Sequence, residues 1–205
     1  GCAGLLNFVV PNSVTNIGNF TFGNCSRLAN VVIGDHVSTI GWGAFSGCRH
    51  LTRVEIPSGV SSIANYGFEG CTSLASVEFA GDAPLLEPAH MVGEPGHFYR
   101  TPATLRHLPG TQGWTSTFAG RPTAPWVRPH PTILDFGDRF GPSSDGFSFI
   151  ISWATNVPVV VEASADIIGA DWTPVSTNTL TDGWVQFTDP EWKSQAARFY
   201  RVRGQ

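Results

Sequence analysis

Cysteine is the side chain in this sequence best suited to chemistry, as nucleophile, metal ligand or disulfide partner, and the four stand at Cys2, Cys25, Cys48 and Cys71. Their spacing argues against all three uses. They recur at one fixed interval, not as CxxC pairs, so a chain that coils once per interval stacks them with side chains pointing the same way. Neither bridge geometry nor convergence on a metal follows, and buried free thiols acting as small apolar residues are expected. The six histidines, His36, His50, His90, His97, His107 and His130, form no HExxH and no i, i+4 pair. Only His90, His97 and His107 share a stretch where ring nitrogens could gather. Asp135, Asp138 and Asp145 lie in a Gly-rich stretch and make a weak calcium pattern. Asp135-Phe136-Gly137 spells a kinase triplet without the Gly-rich loop, paired lysine or catalytic loop that give it meaning. Serine is plentiful, yet no GxSxG elbow occurs. Asn19-Phe20-Thr21 and Asn24-Cys25-Ser26 satisfy the glycosylation triplet, the second around a cysteine expected in the core. The expectation is no catalytic residue, no metal, no cofactor and no enzyme.

The cysteine interval is also the interval of the apolar residues. Leu5, Leu28, Leu51 and Leu74 form one column, Phe8, Val31, Val54 and Val77 a second, and Val10, Ile33, Ile56 and Phe79 a third. Val14, Val37 and Val60 follow, then Ile17, Ile40 and Ile63, then Phe22, Phe45 and Phe68. One coil cannot bury such a set, because both its flat sides face water, whereas stacked coils turn each column into a continuous ladder. Within a period, Leu-x-x-Val-x-Ile ends in alternation, as in a short strand with one face inward, and Pro11 or Pro57 stops it. The remainder, Val-x-x-Ile-x-x-x-x-Phe with several glycines, suits a turn and an irregular or short helical return.

This template, in running text such as IPSGVSSIANYGFEGCTSL, resembles the leucine-rich repeat in its BspA-like form. The resemblance covers about residues 1 to 80 and implies a solenoid of parallel strands. Residues between the core columns then project outward on the strand face in two columns: Asn7, Asn30, Arg53 and Ser76, and beside them Val9, Val32, Glu55 and Glu78. Asn30, Arg53, Glu55, Ser76 and Glu78 are the candidate ligand-binding residues. The chain opens on Gly1-Cys2 in mid-repeat, with no initiator Met, no signal peptide and no polar cap, and this predicts further coils upstream.

After Phe79 the period fails. Asp82 to Pro129 contains eight prolines and two tryptophans, and this stretch must cover the last coil, whose apolar columns and strand edge would otherwise be exposed. Residues 104 to 108 offer one closing strand. LPGTQGW followed by FAGRPTAPW resembles the ending of BspA-like arrays, which places Trp114, Phe118 and Trp126 in cap packing. Past Pro125, Pro129 and Pro131 the pattern becomes short β segments: Gly146 to Trp153, Pro158 to Ser164, Trp172 to Val175, Trp184 to Asp189 and Arg198 to Arg203. Asn156, Gly169 and Asp182-Gly183 fall between them, the rhythm of an antiparallel sandwich. VEASADIIGADWTPVSTNTL and FTDPEWKSQAARFYRVR resemble a small module attached to bacterial extracellular repeat proteins. The expected organisation is repeats over 1–81, a cap over 82–128 and a β-sandwich over 129–205, a mainly β fold.

Only 14% of the 205 residues are charged and the net charge is −4, with Arg and Lys scattered, so no nucleic-acid surface is expected. No apolar run is long enough to span a membrane. The resemblance implies a monomeric, secreted or cell-surface bacterial module that binds a protein or glycan. A second expectation is the carbohydrate-binding tail of a larger enzyme, with Trp114, Trp153, Trp172, Trp184 and Trp192 as sugar platforms.

Overall fold

The computed structural model describes residues 1–87, 96–169, 171–194 and 196–205. These form two compact units, one of Gly1–His107 and Thr111–Trp126, the other of Leu108–Gly110 and Val127–Gln205.

In the first unit each period supplies a longer and a shorter strand: β1 (Asn7–Val9) and β2 (Asn16–Ile17), β3 (Asn30–Val32) and β4 (Thr39–Ile40), β5 (Arg53–Ile56) and β6 (Ser62–Ile63), β7 (Ser76–Phe79) and β8 (Leu85–Leu86). The longer strands pair in parallel as two sheets, β1 with β3 (Asn7 with Asn30) and β5 with β7 (Arg53 with Ser76), and the shorter ones form a parallel ladder in the order β2-β4-β6-β8. The repeat therefore becomes a stack, and from the second coil on the predicted columns are its interior. Leu28, Leu51, Leu74, Val37, Ile63, Phe45 and Phe68 are all fully buried.

The returns are turns rather than helices, and their backbone also bonds from coil to coil: Phe22 N to Ala44 O at 2.8 Å, Phe45 N to Gly67 O at 2.8 Å. Two near-parallel ring pairs, Phe22–Phe45 and Phe45–Phe68, each at 5.1 Å between centroids, run through them. Gly43 is required there twice over. Its φ is +57°, and a Cβ would lie 2.6 Å from the Phe20 ring, which fills the space beside it.

Cys25, Cys48 and Cys71 are buried free thiols as expected, but Cys2 is exposed. The buried thiols do more than fill space. Cys48 Sγ donates to Phe22 O at 3.2 Å and Cys71 Sγ to Phe45 O at 3.1 Å, each tying a return to the preceding coil. Burial pushes the Cys48 thiol up to about 12, and the Cys71 thiol further in the same direction.

A fifth coil follows where the period fails. Phe98 arrives late but stacks on Phe68 at 5.3 Å, and Thr101 Oγ1 donates to Phe68 O at 2.6 Å, taking the part that cysteine plays one coil earlier. β9 (Thr104–His107) then pairs in parallel with β7, at the position where a closing strand is expected, but it does not end the sheet. Beyond it β10 (Thr117–Phe118) and β11 (Arg121–Pro125) make a hairpin, with β11 parallel to β9. Trp114 packs against Phe79, His107 and Phe118, with ring centroids 4.8, 5.0 and 4.9 Å away.

The second unit contains β12 (Thr132–Leu134), β13 (Gly141–Pro142), β14 (Phe147–Ser152), β15 (Pro158–Ser164), β16 (Thr173–Thr179), β17 (Trp184–Asp189) and β18 (Phe199–Gly204). β14 is flanked antiparallel by β17 on one side and by β12 and β13 on the other, while β15 lies between β16 and β18. Alternate residues of the two central strands meet in one core: Phe149 and Ile151 from β14, Val159 and Val161 from β15. Gly146 opens β14 at φ +145°, where a Cβ would lie 2.3 Å from Asp189 O. The Asp189 carboxylate accepts from Tyr200 Oη at 2.8 Å and pairs with Arg198.

Candidate recognition face

The longer strands of the first unit turn alternate side chains inward, so the register fixes what the outside shows. Asn7 with Asn30 and Val9 with Val32 are register partners in one sheet, and Arg53, Ser76 and Thr104, with Glu55, Glu78 and Arg106, are partners in the next; the repeat places the two sets at equivalent positions. Asn30 Nδ2 donates to Asn7 Oδ1 at 2.8 Å, a side-chain rung that repeats the backbone register. Val9 and Val32 stand side by side at 63% and 57% exposure. Arg53 and Glu55 follow, both exposed, so the face is apolar toward β1 and charged toward the cap.

Glu78 departs from expectation. Predicted to project into solvent, it is 4% exposed. Ser76 Oγ donates to its Oε1 at 2.7 Å, and Arg53 Nε lies 3.0 Å from its Oε2, near enough for charge attraction though not aligned as a hydrogen bond. The carboxylate folds back along its own strand, while β9 builds a further row beside it. Of the five candidates, Asn30, Arg53 and Glu55 are exposed, Ser76 is half-buried, and Glu78 serves to orient Arg53.

The histidines do not come together as a site. His90 lies outside the described residues. His97 is buried, and desolvation lowers its pKa; His107 stacks flat on Trp114 at 5.0 Å. Among the described residues no three His, Cys, Asp or Glu side chains gather where a metal would need them, Asp135, Asp138 and Asp145 included. Also among those residues, no helix is long and apolar enough to cross a membrane.

None of the five tryptophans named as sugar platforms is fully buried, and Trp184 is the most exposed at 36%. Cations lie over three of the rings, Lys193 Nζ being 5.4 Å from Trp192. Arg201 sits 4.5 Å above Trp172 and Arg139 5.5 Å from Trp184, while Trp153 Nε1 donates to Arg128 O at 3.1 Å.

Parallel ladders of short strands, turn-rich returns and an inward leucine column define a leucine-rich-repeat solenoid with a rigid outer strand face. Residues 1–85 match the family model of the BspA type leucine rich repeat region, in six copies. Two solved structures are similar to part of the chain. A leucine rich cell surface protein from Faecalibacterium prausnitzii is 31% identical over 38% of this chain and 20% of its own, with a TM-score of 0.37. A leucine-rich repeat protein from Bacteroides ovatus is 33% identical over 42% of this chain and 21% of its own, also at 0.37. The chain thus spans about a fifth of the length of either. No curated protein matches it.

Proposed function

We propose that the repeat unit is a non-catalytic recognition module of a secreted or cell-surface bacterial protein, working as a monomer and binding a protein partner on its strand face. The observation that carries this reading is the pair Val9 and Val32, more than half exposed and adjacent in register on strands whose backbone is already fixed. Apolar side chains held rigidly in water release free energy when covered, and an ordered backbone loses little entropy on association. Arg53 and Glu55 beside them supply charge selectivity. The test is a screen of immobilised extracellular-matrix proteins and glycans with the whole chain, repeated with Arg53→Ala/Glu55→Ala and with Val32→Glu. Protein ligands retained undiminished by both variants would refute the strand face as the site.

The sugar-tail reading rests on Trp184, the most exposed of those indoles. It requires that polysaccharide retention fall in Trp184→Ala and survive in the two strand-face variants.

A further inference from the structure

The shorter-strand ladder, β2-β4-β6-β8, carries an open trench of about 640 Å³. That volume falls within the range of small-ligand sites, roughly 300–1,000 Å³. Its floor is small because Gly18, Gly41 and Ala64 occupy equivalent positions in successive coils. Gly41 has no alternative: a Cβ there would lie 2.7 Å from Asn19 Oδ1 and 2.8 Å from Ile17 O. Contributions come from four coils, from Asn16 and Asn19 at one end to Glu87 at the other. Three inter-strand steps of about 4.8 Å give the trench a length of roughly 14 Å.

Within the ladder its backbone is already spoken for. Gly41 N donates to Ile17 O, Ala64 N to Ile40 O and Glu87 N to Ile63 O, so an extended peptide laid along the trench finds no free strand in its middle to pair with. Side chains are what the trench offers. Asn19 Oδ1 accepts from Trp42 N at 2.9 Å, which pins the amide and leaves its N–H groups without a partner among the described residues. Thr39 Oγ1 donates to Asn16 Oδ1 at 2.5 Å, so the Thr39 oxygen keeps its lone pairs for an incoming donor. Trp42 forms an aromatic wall, edge-to-face with Phe20 at 4.6 Å and with Tyr66 at 4.9 Å. That packing holds the ring in place at the expense of its indole N–H, which is buried without a hydrogen-bond partner. Among the described residues Glu87 is the only ionisable one lining the trench, and its charge disfavours anions.

Fixed amides, a hydroxyl, one carboxylate and an aromatic wall along an extended trench whose inner strands β4 and β6 are paired on both sides match a chain of uncharged hydroxyl-bearing rings. We propose that this trench binds a neutral oligosaccharide, on a different face from the strand-face site and independently of it.

The test is titration of the whole chain with cellotetraose, maltotetraose and chitotetraose at millimolar concentration, read by the indole N–H resonances; the signal missing in Trp42→Ala assigns Trp42. Saturable shifts of that resonance are expected with at least one sugar. Asn16→Arg, an exposed change that obstructs the trench, should weaken that affinity at least about tenfold, and by NMR should leave the fold intact. Arg53→Ala/Glu55→Ala should leave it unchanged, which separates failure here from failure of the strand-face reading. No saturable shift with any of the three sugars, equal affinity in Asn16→Arg, or equally tight binding of neutral tetra-alanine would overturn the proposal.

Discussion

Replacing Phe45 with alanine should destabilise the first unit by about 3–5 kcal/mol, the transfer free energy of a buried ring plus the cavity it leaves. The structure also dictates how that loss is shared. Phe45 is fully buried and stacks on Phe22 at 5.1 Å and 11° and on Phe68 at 5.1 Å and 8°; Phe68 stacks in turn on Phe98 at 5.3 Å and 2°. Each such pair adds about 0.5–1.5 kcal/mol beyond burial, so a Phe45→Ala/Phe68→Ala cycle should show coupling of that size. Phe22 and Phe98 share no ring neighbour, and their losses should add to within about 0.5 kcal/mol. Phe22→Ala should also cost less than Phe45→Ala, because its outer neighbour Phe8 is tilted by 58° and 40% exposed, with solvent already at the site. The assay is pulsed thiol labelling against urea concentration. All four cysteines lie in the first unit, so labelling follows that unit alone, and exposed Cys2 serves as the internal reference. Equal coupling in the two cycles, or a Phe45→Ala loss below about 1 kcal/mol, would show that the coils are not a nearest-neighbour stack.

Native protein treated with a thiol reagent should expose one fast-reacting group, Cys2, and denatured protein all four; three or more fast thiols before unfolding would contradict the buried column. In the second unit, Glu162 sits on the outer face of β15, accepting from Arg201 Nε at 2.7 Å and Arg203 Nε at 2.9 Å, and these bonds hold its pKa below the ordinary 4.5. The folded state favours the ionised form, so this stabilisation is complete above pH 4.5 and is lost as pH falls through the depressed folded value. Both arginines are 51% exposed, so solvent screening keeps the effect modest. Amide exchange of β15 and β18 should accelerate on acidification, with a shallower acid limb in Glu162→Gln. Superimposable limbs would exclude the two arginines as the cause.

The parts of the fold legible in the sequence are those where one residue type answers one geometric demand. Leu51, Val54 and Ile56 must each meet the same neighbour one coil on, so their columns could be read directly. The segments Pro158 to Ser164 and Trp184 to Asp189 are short runs rich in β-branched and aromatic residues and reappear as β15 and β17. Glu78 shows where the reading stops: alternation places it outward, but alternation says nothing of a carboxylate that folds back under Arg53. The fifth coil was hidden because Phe98 and Thr101 come late, and because a hydroxyl there replaces the thiol that marked every earlier coil. The trench was hidden for another reason. Gly18, Gly41 and Ala64 read as return residues, and only stacking turns three small side chains into a floor; the signal available in advance was that smallness recurs there with the repeat.

Recognition by this solenoid has to run through side chains. The shorter-strand ladder, the returns and the sheet from β5 to β9 bond from coil to coil, while β3 and β5 belong to separate sheets, so along most of the stack little backbone remains for a partner to pair with and specificity falls to the positions that stacking leaves unconstrained. Those positions are not equivalent around the coil. On the longer strands they are spaced by the pleat and stand proud of the surface, as Val9, Val32, Arg53 and Glu55 do, which suits a broad partner laid against them. At the ends of the shorter strands the small residues recede and leave a channel between Asn16 and Trp42, which suits a narrow one. A change on one face is transmitted to the other only through the buried columns, whose packing is set by residues that neither face displays. Arg53→Ala/Glu55→Ala and Asn16→Arg should therefore act on their own ligands and not on each other's. A strand-face variant that also weakened sugar binding would mean that a coil moves as one body when either face is occupied.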